Sequence, residues 1–442
     1  MKKLLSVVLA LLMLAVMLPT TAMAEENYVM ISGITGVENE KYVSFEAAYN
    51  AIKPKLEALC DSDAMGQGAT TAEKFDALFT DCDENGNATL TYTISGNITY
   101  DESTLKNLLT FGRRASHYGN DRHLINFKFV GATGRDSDTL TVNSDITLPY
   151  EWWGEKTTTS ISFENLTITG PAPNGLYPTQ AYFDGINFKV NNCKLEGIKI
   201  YKCSNVGGSY TITNNIFDGT NAPQNAYAIH LQGNETAPLT INISNNTISG
   251  YDRGINIDQK TAAATISNNN ISVKDTGRSC IQLTRLASTK VENNTMNLTG
   301  GNAITLHKEL LNCAKPEITV SGNAINGTGY LIYDDSNGAF TNENLNLTIT
   351  KDNTVAKTVD TTKGVKDGEI HPLSEIVKTT VENNVVPGGS TGGTIVIITP
   401  TEDTPKTEPE KNPTTGANDM VAAAVALMAV SALGMAVLTR KK

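Results

Sequence analysis

Seven ten-residue stretches of the chain align without a gap, and that repeat limits the fold more than any other feature. They are ISFENLTITG (161–170), FKVNNCKLEG (188–197), YTITNNIFDG (210–219), INISNNTISG (241–250), ATISNNNISV (264–273), TKVENNTMNL (289–298) and ITVSGNAING (318–327). The fifth position holds Asn165, Asn192, Asn214, Asn245, Asn268, Asn293 and then Gly322, spaced 27, 22, 31, 23, 25 and 29 residues apart. Two residues earlier stand Phe163, Val190, Ile212, Ile243, Ile266, Val291 and Val320; three residues later stand Ile168, Leu195, Phe217, Ile248, Ile271, Met296 and Ile325. Apolar residues alternate with period two before the asparagines, as in a strand with one buried face. The count slips by one across them, so the chain must bend there. Asparagine suits a bend because it tolerates left-handed backbone and can bond nearby main chain.

A second short strand follows each stretch: GIKIY (197–201), AIHLQ (228–232), GINID (254–258), CIQLT (280–284), AITLH (303–307) and YLIYD (330–334). One such unit cannot bury its apolar face alone, whereas stacked units bury a continuous core. The expected fold class is all-β, a parallel β-helix. Like residues should stack at about 4.8 Å per coil. In ISNNTISG, Asn245 is expected to join a side-chain ladder and Asn246 to take the bend. A leucine-rich repeat would need a Leu framework that is absent, and a β-sandwich would not keep one asparagine in register. Open solenoid ends need caps. Helical apolar spacing in VSFEAAYNAI (43–52) and AEKFDALF (72–79) gives an N-terminal helical cap, and NLNLTITKDN is a candidate last strand pair.

This pattern resembles the right-handed, pectate-lyase-like β-helix superfamily over about residues 85 to 340, with TYTISGNITY and INFKFVGATG as earlier, less regular coils. The resemblance implies a right-handed solenoid. Members often bind or cleave polysaccharide along one flat sheet. Two outward columns of the second strand are candidates for such a face: Lys199, His230, Asn256, Gln282, Thr305, Ile332, and Tyr201, Gln232, Asp258, Thr284, His307, Asp334. His230, Gln232, Asn256, Gln282 and His307 are the expected ligand-binding residues. An ordinary solvated strand face alternates in the same way. Trp152 and Trp153, the chain's two tryptophans, could stack on sugar rings or pack over the first coils. Arg113, Arg114, Arg122, His117 and His123 concentrate in RRASHYGNDRH, a polar loop that could meet an acidic glycan.

The superfamily's hydrolase signatures are missing; Asp334-Asp335 is an isolated acid pair. By resemblance to its lyases, which use an arginine base and an Asp cluster for calcium, Arg253, Asp252 and Asp258 are the catalytic candidates, with Arg278 and Arg285 nearby. No cofactor is expected, except calcium if the protein is a lyase. Surface charges on loops explain the same residues without chemistry.

The ends bear on location. Lys2 and Lys3, an apolar run and Ala22-Met23-Ala24 read as a cleaved signal peptide. A Pro/Thr-rich charged stretch near the C-terminus reads as an extended linker. The apolar run Met420–Leu438 is long enough to span a bilayer, and Arg440, Lys441 and Lys442 follow it. Asn412-Pro413-Thr414-Thr415-Gly416 with that helix and tail resembles the LPXTG-like sortase signal of Gram-positive bacteria, although Asn stands where Leu is usual. By that resemblance Thr415 would be joined to peptidoglycan. The expected partners are sortase, peptidoglycan and a polysaccharide or host glycan, with membrane contact through the C-terminal helix before sorting.

On this reading the chain divides into a signal peptide (1–24), helical cap (25–84), β-helix (85–340), C-terminal β segment (341–399), linker and sorting motif (400–419), and membrane helix with basic tail (420–442). The whole chain carries 35 basic and 46 acidic residues; removing both ends takes five and one, leaving 30 and 45, a charge of −15. Nucleic acid is an unsuitable partner for such a chain. Six scattered cysteines show no metal-ligand spacing. Cys60–Cys82 and Cys193–Cys203 are the disulfides to test first, with free buried thiols equally open.

The expected role is a wall-anchored surface protein that contacts a glycan or host surface. A tethered lyase or hydrolase of acidic polysaccharide, or a structural spacer, are the alternatives.

Overall fold

Period-two alternation in the repeats becomes two long sheets. The computed structural model describes residues 27–59, 72–84, 86–100, 125–143, 146–147, 160–170, 179–182, 187–203, 208–233, 238–274, 278–385 and 388. Ten parallel strands form one face: Ala88–Ser95, Ile125–Gly131, Ser160–Glu164, Asn187–Asn191, Gly208–Thr213, Leu239–Ser244, Ala262–Ser267, Ser288–Glu292, Glu317–Ser321 and Asn346–Ile349. Two antiparallel strands, Tyr28–Ser32 and Lys41–Tyr42, complete this twelve-stranded sheet. The remaining coil strands make a seventeen-stranded sheet whose pairings run from one coil to the next. The protein is a parallel β-helix.

Register carries the repeat through the core. Tyr92, Phe129, Phe163, Val190, Ile212, Ile243, Ile266, Val291, Val320 and Ile349 form one inward column. Its early coils are aromatic. Ring centroids separate Phe45 from Tyr92 by 5.7 Å, Tyr92 from Phe129 by 5.3 Å and Phe129 from Phe163 by 5.0 Å; Phe188 and Tyr210 continue at 6.5 and 5.7 Å. Phe45 comes from the helix Phe45–Leu59, which with Ala72–Leu78 realises the helical spacing over 43–52 and 72–79. Ala48, Ile52 and Leu56 of the first helix are fully buried.

The asparagine pair has the opposite division of labour from the one expected. The first residue bends: Asn165, Asn192, Asn214, Asn245, Asn268 and Asn293 have φ between 52° and 60°, and Gly322 has φ 64°. The second residue is buried and forms the ladder. Asn215 donates its amide to Asn246 at 3.0 Å, Asn246 to Asn269 at 2.9 Å, Asn269 to Asn294 at 2.9 Å, Asn294 to Asn323 at 3.0 Å and Asn323 to Asn353 at 2.9 Å. The other amide proton goes to a carbonyl of the preceding coil, such as Ile243 O for Asn269. Each side-chain oxygen also accepts a backbone N–H from that coil; the first is Cys193 N on Asn215. A buried primary amide with every donor and acceptor used avoids the cost of desolvated, unpaired polar groups.

Two further departures concern the chain's far end. The segment after residue 340 contributes Asn346–Ile349 and Thr354–Val355 to the coils, as its alternation implies. It then forms an antiparallel hairpin, Lys363–Lys366 with Glu369–Pro372, and a helix, Glu375–Asn384. Val377 and Val381 of that helix are buried, so it helps close this end of the core. Cys82 and Cys193 are free thiols, so of the two alternatives left open for Cys193, a bridge to Cys203 or a free buried thiol, the structure has the free buried thiol. The signal peptide, Cys60, the Arg113–His123 loop, Trp152, Trp153 and everything from residue 389 onward lie outside the described residues. No described helix is long and apolar enough to cross a membrane.

Candidate functional site

The outer faces differ in what their polar side chains do. On the first sheet, Glu164 pairs with Lys128 at 3.0 Å and Lys189 at 2.9 Å, while Ser209 and Thr213 donate to Asn187 and Asn191. On the row after the bend, Thr141 donates to Asn97, Asn297 to Asn270 and Asn326 to Asn297. Those two rows bind their own neighbours along the stack. The second-strand row instead buries polar groups without partners: both ring nitrogens of His230, and Arg253 Nε, have none among the described residues.

Register defines the row. Tyr201, His230, Asn256, Gln282, Thr305 and Tyr333 lie opposite one another in successive coils. Tyr201, not Lys199, faces His230: the first pairing is two residues away from the expected one, which preserves the outward face. Tyr333, not Ile332, faces Thr305, because the last coil slips by one, and Ile332 is buried in the core. A bulge after Ile257 sets Asp258 opposite Arg285, displacing Thr284 from its expected column.

His230 packs against the rings of Tyr201 and Tyr227, at 5.3 and 4.8 Å between centroids. Burial pushes its pKa down to about 3, with Lys199 and Arg253 adding repulsion, so the imidazole is neutral. Lys199 Nζ lies 4.4 Å from the Tyr201 ring centre, and Tyr201 donates its hydroxyl to Gln232 at 2.8 Å. Arg253 donates to the Tyr227 hydroxyl at 2.9 Å and lies 4.9 Å from that ring's centre. Tyr227 donates in turn to Gln282 at 3.2 Å, Gln282 to Thr284 at 2.9 Å and Thr284 to Asn256 at 2.8 Å. The amides expected to face a ligand are thus partly occupied in orienting one another, and Asn256 is buried.

Asn225, in left-handed backbone at φ 64°, joins two arginines. Its Oδ1 accepts from Arg253 and Arg278, both at 3.3 Å. Asp252 accepts the Asn225 backbone N–H at 2.5 Å, so its visible work is to hold this loop. Arg253 and Asp258 start and nearly end one strand, about 16 Å apart along it. Asp258 binds Arg285 at 2.5 Å; burial nevertheless raises its pKa. Of the three expected catalytic residues, Asp252 and Arg253 therefore meet at Asn225, while Asp258 serves a separate pair with Arg285. Tyr227, Asn225 and Asp367 escaped the sequence reading. Tyr227 stands one residue before the strand read there, and the other two lie in loops that carry no repeat signal.

The far end of the row is covered. Asn302 donates to Val365 O at 2.7 Å and accepts from Val365 N at 3.0 Å, fastening the hairpin across the coils. Lys366 pairs with Asp335 at 2.9 Å, and His371 lies 5.5 Å from the Tyr333 ring. His307 is enclosed here. Its Nδ1 accepts from Glu309 N at 3.2 Å, and its Nε2 faces Asp335 Oδ2 at 3.4 Å. Burial lowers the His307 pKa. Burial also opposes ionisation of Asp335, but bonds from Lys366 and Tyr333 outweigh it and leave its pKa low. His307 thus has Nδ1 hydrogen-bonded internally and Nε2 directed at Asp335. Asp334 accepts from Ser336 N and Ser374 N, a structural role.

What these features define is a β-helix with one partly open, cationic and aromatic polar row. A family model described as "Periplasmic copper-binding protein (NosD)" matches residues 173–362, a span that contains every coil of this row. No curated protein and no solved structure matches the chain. The match agrees with the β-helix fold and with an exported chain. Copper does not fit the described residues: no three His, Cys, Asp or Glu side chains cluster to share an ion. His230, whose buried ring nitrogens have no partner among the described residues, has Lys199 and Arg253 as charged neighbours, which repel a cation.

Proposed function

We propose that this is an exported, wall-anchored surface protein whose open row binds an extended acidic glycan. The carrying observation is the convergence of Arg253 and Arg278 on Asn225 beside the Tyr201, Tyr227 and His230 rings. Arginine supplies directed, paired donors for a carboxylate. Tyrosine faces supply stacking area at small entropic cost. The unpartnered His230 nitrogens and Arg253 Nε show that hydrogen bonding in this part of the row is incomplete among the described residues. These cations stand out in a chain of net charge −11. Binding is favoured over a lyase reaction because Arg253 is engaged with Tyr227 and Asn225, Asp252 accepts the Asn225 backbone N–H, and Asp258 is paired with Arg285 at the other end of the strand.

Titration calorimetry of the intact chain against uronate-bearing and neutral oligosaccharides tests this reading. The acidic ligands should bind, and Arg253→Ala should weaken them by at least about tenfold, the scale of one lost charge-assisted contact. Equal binding of the neutral sugars, or release of unsaturated products, would reject it. Anchoring rests on the sequence Asn412-Pro413-Thr414-Thr415-Gly416 before an apolar run and basic tail. Thr415→Ala should shift the protein from the wall to the membrane or medium in cell fractionation; unchanged wall attachment would remove the sortase assignment.

A further inference from the structure

The hairpin that covers one end of the row reaches toward the open end with a carboxylate. Lys366 pairs with Glu369, leaving Asp367-Gly368 as a two-residue turn with φ of 50° and 86°. Asp-Gly is favoured in such turns because both positions need left-handed backbone. Asp367 Oδ1 meets Arg278 Nη1 at 2.9 Å. Arg278 and Arg253 share Asn225, yet only Arg278 has a described carboxylate partner, while Arg253 Nε stays unpartnered.

We propose that Asp367 is a tethered competitor: it occupies on Arg278 the place of an acidic group of the ligand, and its carboxylate must release before both arginines engage. This rests on the acidic-glycan reading of the same site. The Asp367 side chain and the strand that carries it are held differently. The Asp367 side chain is 57% exposed, and ion pairs exposed to that degree exchange readily with other anions. In the strand just before the turn, the two Asn302–Val365 bonds are buried and Lys366 pairs with the largely buried Asp335. The Asp367 carboxylate can therefore turn away from Arg278 while the hairpin stays docked. A tethered carboxylate lowers apparent ligand affinity by the fraction of time that it fills the site.

The test is calorimetry on the intact chain with an oligogalacturonate of defined length, and with its methyl ester as the neutral probe. Wild type is compared with Asp367→Asn and Glu369→Gln. Asparagine keeps the left-handed turn, and Glu369→Gln makes the same charge change on the same hairpin away from the arginines. Asp367→Ser is a second variant should the asparagine form fold poorly, with thermal melts checking each. We expect Asp367→Asn to bind the acid roughly five- to tenfold more tightly, with Glu369→Gln and the methyl ester showing no gain. Equal affinity of wild type and Asp367→Asn, or an equal gain in Glu369→Gln, overturns the competitor while leaving the glycan reading intact. Absence of binding by every form overturns both.

Discussion

The early and late coils share one backbone plan but solve the filling of their bend differently. Up to about residue 193 the ladder position holds Leu166 and then Cys193, and the interior column is built from Tyr92, Phe129, Phe163 and their neighbours. From Asn215 onward the same position holds a hydrogen-bonded asparagine, and the column turns aliphatic. Aromatic packing is tolerant in direction, since offset and tilted rings are both favourable. An amide ladder is not: every rung needs its neighbour at one height and angle. The late coils also carry the functional row, where a fixed rise between strands keeps Tyr201, His230, Asn256 and Gln282 in line. That alignment is local: past Gln282 and after Ile257 the outer sheet slips and bulges while the internal ladder keeps its register.

The largest expected effects come from breaking each device at its centre. Asn269→Ala removes two donations and two acceptances at a buried site, and should cost about 3–4 kcal/mol. Phe129→Ala, between Tyr92 and Phe163, should cost about 3–5 kcal/mol. Conservative changes then separate the two. Phe129→Leu should cost only about 1–2 kcal/mol, because an apolar gap can partly refill. Asn269→Asp should remain as damaging as alanine, since a carboxyl cannot supply both donations. Urea unfolding of the four variants measures this; a well-tolerated Asn269→Asp would show the ladder to be packing alone.

Much of this comparison was legible in advance. The spacing of the asparagines and the apolar positions around them gave the coils, their stacking and the β-helix. What was misread is which asparagine bends, yet the chain contains the signal. Glycine replaces the first residue at Gly322, and glycine is the residue that takes left-handed backbone at least cost. Leucine and cysteine replace the second at Leu166 and Cys193, where only a buried site would accept them. The slipped columns were not legible, because the outward register depends on loop lengths and on a bulge at Ile257. Nor was the hairpin cover, a contact that joins Asn302 to Val365 across 63 residues with no pattern in between.

A smaller effect follows from pH. His230 is held near 3, below the ordinary 6.5, by burial and then by Lys199 and Arg253; His307 is lowered in the same direction, chiefly by burial. Between those values the unfolded chain binds the proton and the folded chain does not, so stability rises with pH. Stability is thus fully present above about 6.5 and is lost as pH falls toward 3, by up to tenfold in the folding constant per pH unit for His230. Both residues belong to late coils. Amide exchange at pH 5 should therefore accelerate first there, and His230→Gln should reduce the change. Uniform acceleration through the aromatic coils would contradict a local origin.

The smallest effect concerns the bend itself. Asn268 is exposed, has φ 55° and makes no described side-chain hydrogen bond, so its contribution is conformational. Alanine there should cost about 1 kcal/mol, the left-handed penalty of a residue with a Cβ. Glycine should change stability by no more than about 0.5 kcal/mol, because relief of that strain offsets the added entropy of the unfolded chain. Asn192, on an early coil, has the same backbone at φ 52° but donates its amide to Asn165 at 2.8 Å. Asn192→Gly should therefore cost about 1 kcal/mol more than Asn268→Gly, the typical net value of one hydrogen bond. Thermal melts of the three variants decide between the two readings of the first asparagine. Equal losses for both glycine variants would mean that backbone conformation alone selects the residue; a larger loss at Asn192 would mean that the early coils, lacking a ladder inside the bend, draw part of their register from one outside it.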